Sequence, residues 1–334
     1  METQKRRPWR RWVVLALMIV GFIVGGMTYF VPVQPEITFA AEKLVEQPLF
    51  TLPVIGPFYL VNTIPPLAFT VLLVIVLAFY TNRSMTNSAR TDLVPRGVGN
   101  LMEAFFELLY NMTEGATGAK WAPVIFPWFA TIMFYVLFAN LLKLIPGFEA
   151  IGILRSSATG HPVQHMGLFA NVLPGVATNG SGYVLVPFLR GVSIDLNFTV
   201  AIALISVFMT QIIGVQTQGF GYFFKFFNVQ TMFKVPFFGA MDFLVGLLEI
   251  ISEFSKIISF AFRLFGNMFA GLVLVAIVSS LLGKISILPS MIMLFELFVG
   301  VIQAFVFGML TMVFMAQATQ GHVHEEEHEE VHEI

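Results

Sequence analysis

From Phe238 to Leu282 the chain is one apolar run, interrupted by a few polar residues, with Arg263 deep inside it. Built as a helix at about 1.5 Å per residue, the run is far longer than the ~30 Å hydrocarbon core of a bilayer. It must tilt strongly, bend or be broken. A basic side chain at the middle of a membrane helix costs roughly 2.5–3.5 kcal/mol on insertion scales. Arginine cannot shed its charge, so Arg263 calls for an anion. The candidates within the chain are Glu249 and Glu253 on the same run and Glu296 on the next.

Other long apolar runs surround this one. The chain is 57% hydrophobic and 11% charged, where a soluble domain carries about 25% charged residues. The reading is an all-α polytopic membrane protein with about six transmembrane helices. The expected spans are Val13–Val31, Val61–Tyr80, Val124–Leu142, Leu196–Ile213, Phe238–Leu282 and Leu288–Thr319, the last two forming a long, strongly tilted hairpin. With no cysteine, disulfide and thiol chemistry are excluded. The many Phe and Met side chains read as lipid-facing and packing surface, and no cofactor is expected.

Punctuation divides the chain into residues 1–59, an N-terminal span with an external loop, and residues 60–334, the main membrane domain. The first span reads as an uncleaved anchor rather than a signal peptide, because its apolar core exceeds the usual length of a signal core. Leu101–Tyr110 is amphipathic at helical period and is expected to lie along the inner surface. Pro146 and Gly147 stop the third span. Residues 148–194 read as a long external segment, and Asp195 as the N-cap of the fourth span. The tail, residues 320–334, reads as a disordered, solvated acidic end rather than a metal site; no metal ligands are assigned.

The basic residues orient this topology. Lys5, Arg6, Arg7, Arg10, Arg11, Arg83, Arg90, Arg96, Lys120, Lys225 and Lys234 fall on one side. Lys43, Lys143, Arg155, Arg190 and Lys284 fall on the other. The excess marks the first side as cytoplasmic and places both termini there.

On a helical wheel with Arg263 at zero, Glu249, Ser252, Lys256, Ser259 and Asn267 fall within about 40°. A polar stripe of this kind faces a partner or a water-filled cavity rather than lipid. Glu296 and Gln303 are seven residues apart, nearly on one face of the following helix. Glu249 lies toward the inner side, Glu296 toward the outer, and Arg263 between them in depth. A continuous proton pore would leak. A fixed cation between two proton-accepting sites interrupts a water wire and attracts a mobile carboxylate instead. A secondary transporter with an Arg-based anion site is the alternative; it predicts inverted repeats, and none is visible.

The run Ser255-Lys-x-x-Ser259-x-x-x-Arg263-Leu-Phe-Gly-Asn267-Met-x-Ala-Gly271, followed by Gln303-Ala-Phe, resembles subunit a of the F-type ATP synthase membrane sector. Asn140-Leu-Leu-x-Leu-Ile-Pro-Gly147 and Asp195-Leu-Asn197 resemble that family's earlier motifs, over roughly residues 60–320 in all. The resemblance implies a subunit of a rotary proton-transporting ATP synthase, in a bacterial cell membrane, with no catalytic residues of its own. Its implied partners are the c-ring, the peripheral-stalk b subunits, the rest of the complex and the lipid bilayer, with no nucleic acid. Arg263 matches the essential arginine facing the c-ring carboxylate, and Gln303 the glutamine beside it. Glu249, Ser259 and Asn267 match inner half-channel positions, and Glu296 an outer one. Leu272 departs from a position often acidic or His in the family, which leaves Glu296 to carry the outer relay more nearly alone. Lys143 stands where many members have Gly, with no role that the motif explains.

Overall fold

The computed structural model describes residues 12, 40–53, 56–91, 98–145, 148–149, 151–157, 160–166, 169–173, 182–219, 221–222, 226, 236–282 and 287–320. Its helices are α1 (Ile64–Thr91), α2 (Val98–Thr117), α3 (Ala122–Leu142), α4 (Leu196–Gln218), α5 (Pro236–Leu282) and α6 (Ile287–Thr319). Five stretches are long and apolar enough to cross a membrane: Ile64–Arg83, Ala122–Leu142, Leu196–Gln218, Leu244–Ser279 and Leu288–Thr319. They coincide with the second to sixth spans expected from the sequence. Val13–Val31 lies outside the described residues, as do residues 321–334. The chain is an all-α polytopic membrane protein whose last two helices are long.

Two features differ from the sequence reading. α1 does not end at Tyr80 but continues to Thr91. No Gly or Pro falls between Leu67 and Val94, so nothing stops the helix before Pro95. The long connecting segment between α3 and α4 also carries strands. β3 (Gly152–Ser157) pairs antiparallel with β6 (Gly182–Pro187), and β4 (Val163–Met166) with β5 (Phe169–Val172). Before α1, β1 (Phe50–Leu52) pairs with β2 (Gly56–Phe58). These ladders are confined to the connections; every candidate span is helical.

α2 is the amphipathic helix expected from Leu101–Tyr110. It buries Leu109 and stacks Phe105 and Phe106 edge-on against Phe134 of α3. Glu103, Glu107 and Glu114 keep it from ranking among the candidate spans.

Burial centres on α3, α4 and α6, with the middle of α5 closing over them. Val136, Ala203, Leu264, Met268, Ala304 and Phe307 form one buried cluster; Ile125, Phe129, Met133, Met312 and Met315 belong to another. α6 comes close to α3 at Gly308, where a Cβ would fall 2.8 Å from Met133 Cβ. Buried polar side chains tie the helices, as expected where lipid supplies no hydrophobic drive between them. Asn140 Nδ2 donates to Gly300 O at 3.0 Å, and the Ser193 hydroxyl donates to Asn140 Oδ1 at 2.6 Å. Ser206 and Thr311 share a hydrogen bond of 2.7 Å between α4 and α6. Asp195 caps α4 as its sequence predicts: its carboxylate accepts from Asn197 N and from the Thr63 hydroxyl, each at 3.0 Å.

The bundle therefore has two distinguishable ends. Thr63, Lys143, Asp195 and the start of α6 lie at the end that carries the strands. At the other, Gln218 Nε2 donates to Ala318 O, joining the ends of α4 and α6 near α2.

Candidate functional site

α5 and α6 run antiparallel, and their contacts fix the depth of each polar residue. The Phe260 ring stacks on Phe314 and packs at a tilt against Phe307. One turn or two further along, Asn267 Nδ2 donates to Gln303 Oε1 at 2.6 Å. Gly271 comes level with Glu296: a Cβ there would fall 2.4 Å from Glu296 Oε1. Arg263 thus sits between Phe260 and Asn267, near the middle of the described membrane stretch of α5.

Arg263 is exposed on the outer surface of the bundle, together with Ser255, Ser259, Gly266, Asn267 and Ala270. Ile258 and Phe262 of α5 are exposed as well, as are Phe298 and Ile302 of α6. Its guanidinium donates to the Ser259 hydroxyl at 3.3 Å. None of the carboxylates offered by the sequence pairs with it. Glu253 binds Lys256 Nζ at 2.8 Å, and Glu296 binds Lys143. Among the described residues Arg263 has no carboxylate partner. A charged residue open on an apolar, membrane-length helix is costly against lipid.

The polar stripe expected on one face of α5 divides in the fold. Ser259, Arg263 and Asn267 point outward. Lys256 turns inward, where its ammonium lies 4.8 Å from the Phe314 ring centroid besides pairing with Glu253. Glu249 is half-buried, and Glu253 is buried. Tyr222 closes over these acids from the end of α4. Its ring packs where a Cβ on Gly214 would stand 2.5 Å away. Burial, then the charges of Glu253 and Glu249, push the Tyr222 phenol up to about 12.

On α6, Glu296 and Gln303 are both buried, as their spacing on one face requires. Gln303 Nε2 is buried without an acceptor among the described residues. Glu296 does not stand alone. Lys143, just past the end of α3, forms an ion pair with it, and the two side chains are only 4% and 8% exposed. Lys143 Nζ also donates to Met268 O at 3.4 Å. The sequence marks Lys143 as a misfit, but its partner lies in a helix far along the chain. Tyr222 and Glu149, isolated in turns, carry no pattern that sets them apart.

Three tiers of polar groups result: Tyr222, Glu249, Glu253 and Lys256 toward the α2 end; Arg263, Ser259, Asn267 and Gln303 in the middle; Lys143 and Glu296 toward the strand-bearing end. Along α5 Arg263 is separated from Glu249 by about 21 Å and from the level of Glu296, at Gly271, by about 12 Å, at the helical rise per residue.

Comparison with known proteins identifies the family of the chain. The profile of the family described as "ATP synthase A chain" matches residues 66–316. A protein named "ATP synthase subunit a" from Mycobacterium bovis is 30% identical over 269 residues, 80% of this chain and 89% of its own length. One of the same name from Helicobacter pylori is 29% identical over 258 residues, 76% of this chain and 91% of its own length. Another, from Mycobacterium ulcerans, is 29% identical over 261 residues, 78% and 87% of the two chains. The chain belongs to the ATP synthase A chain family.

Proposed function

We propose that this chain is the proton-translocating stator subunit of an F-type ATP synthase membrane sector in a bacterial cell membrane. It offers two offset half-channels to the carboxylates of a rotating c-ring, and it performs no bond-making chemistry itself. The observation that carries this reading is the exposure of Arg263, without a carboxylate partner, on the outer face of α5 at mid-depth.

The mechanism follows from the three tiers. A proton arriving from the strand-bearing side, the outer side by the distribution of basic residues, reaches Glu296. It passes to a ring carboxylate, which, once neutral, turns away into lipid. A carboxylate arriving from the other direction releases its proton toward Glu249 and the α2 end. Arg263 attracts the ionised carboxylate as it passes, and its fixed charge repels protons that would otherwise cross directly. Ser259 steadies the guanidinium. Asn267 and Gln303, bonded to each other, tie the exposed face of α5 to α6 just beyond Arg263 on the Glu296 side.

On this reading the ring lies against the exposed face of α5. The chain has no cysteine, so single cysteines report cleanly. Ala270→Cys, on the exposed face, is expected to form a disulfide with a cysteine placed mid-membrane in the ring subunit. Ala261→Cys, 1% exposed, is expected to form none. Cross-linking that is equal at the two positions, or that favours Ala261, contradicts the placement.

A further inference from the structure

At the strand-bearing end the charges extend beyond Lys143 and Glu296. Gly191 lies directly against Lys143: a Cβ on Gly191 would fall 3.2 Å from Lys143 Cβ. The N–H of the same Gly191 donates to Glu149 Oε1 at 3.1 Å. Glu149 and Lys143 therefore flank one residue. Arg190, its neighbour in sequence, is buried and donates to Ala40 O at 2.7 Å. Glu149 itself is half-buried, so it reaches both solvent and the interior. Its second carboxylate oxygen takes no hydrogen bond among the described residues.

The charged groups acting on Glu149 are Lys143 at the end of α3, Arg190 ahead of α4, and Glu296 on α6. Burial raises the pKa of Glu149 most. The Gly191 hydrogen bond, Lys143 and Arg190 oppose it, and Glu296 adds to it; the balance leaves Glu149 above its ordinary value. A carboxyl that holds its proton to higher pH, at the solvent edge of a buried ion pair, has the properties of a relay.

We propose that Glu149 is a proton-relay residue between the aqueous phase and Glu296, and that Lys143 is a positioning residue that fixes the receiving carboxylate. This rests on the reading of Glu296 as the acceptor on this side. The step is a proton transfer and no more. The O–H bond of protonated Glu149 breaks, the proton crosses through water, and an O–H bond forms on Glu296. The Glu149 carboxylate then takes a new proton from the aqueous phase. Lys143, bound both to Glu296 and to the Met268 carbonyl, anchors the acceptor to α5 beside Gly271.

The test uses the intact complex in proteoliposomes, with proton-driven ATP synthesis measured per assembled complex against pH on the strand-bearing side. Glu149→Gln is expected to lower the rate about tenfold and to remove the fall in rate that accompanies deprotonation of Glu149 as pH rises. Glu149→Asp is expected to keep both the rate and that fall. Lys143→Gln is expected to lower the maximal rate while the pH limb from Glu149 persists, and Lys143→Arg to restore the rate. A Glu149→Gln complex with the unaltered rate and pH profile overturns the relay. Equal rates in Lys143→Gln and Lys143→Arg overturn the positioning role. Arg263→Ala, measured in parallel, separates the two levels. Its loss of coupled synthesis beside an unaltered Glu149→Gln rejects the relay alone, whereas coupled synthesis retained in Arg263→Ala rejects the function on which the relay rests.

Discussion

At the scale of single residues, the buried Lys143–Glu296 pair changes the account of the outer path. Removing one partner of such a pair leaves an uncompensated charge, at a cost of about 3–5 kcal/mol. Both residues are visible in the sequence, but their pairing is not, because it depends on the end of α3 meeting the start of α6. The same holds for Gly271. Its sequence context carries a family motif; only the fold shows that its missing Cβ is the space occupied by the Glu296 carboxylate. Gly271→Ala is therefore expected to displace that carboxylate and to lower ATP-driven pumping roughly 10- to 100-fold, with the complex still assembled. Unchanged pumping by Gly271→Ala contradicts the placement of Glu296. Arg263 was legible for the opposite reason. A permanent charge in an apolar run is conspicuous without any partner, and among the described residues the fold supplies it with no carboxylate.

At the scale of elements, the spans could be read because hydropathy over a bilayer's thickness is a strong signal. Asp195 shows how far local chemistry extends. The cap it makes at the start of α4 follows from residue type and position, whereas its second bond, from Thr63, ties α4 to the start of α1 and could not be foreseen. Asp195→Ala removes both, with an expected cost of about 1–2 kcal/mol. The midpoint of thermal unfolding in detergent should fall by several degrees; an unchanged midpoint contradicts the joint role. The strands escaped the sequence reading because they are short and lie in a segment rich in Gly, Pro and polar residues. α1 runs on past its apolar span to Thr91. Backbone chemistry decides termination, and no breaker precedes Pro95.

At the scale of the whole molecule, the division of the polar stripe is the feature that links fold to function. α5 turns Lys256 and Glu253 toward the bundle and leaves Arg263 on its outer surface, so one helix serves both an internal path and an external partner. The helical wheel puts Lys256 on one face with Arg263 but does not show that the face would split. That split depends on where α4 and α6 cover α5, which is a property of packing. The central claim is that the exposed guanidinium forces protons onto a moving carboxylate rather than straight across. Its most direct test is ATP-driven proton pumping by vesicles carrying the assembled complex with Arg263→Ala. The account predicts pumping reduced to background with the subunit present in normal amount; pumping at the unmodified rate contradicts it.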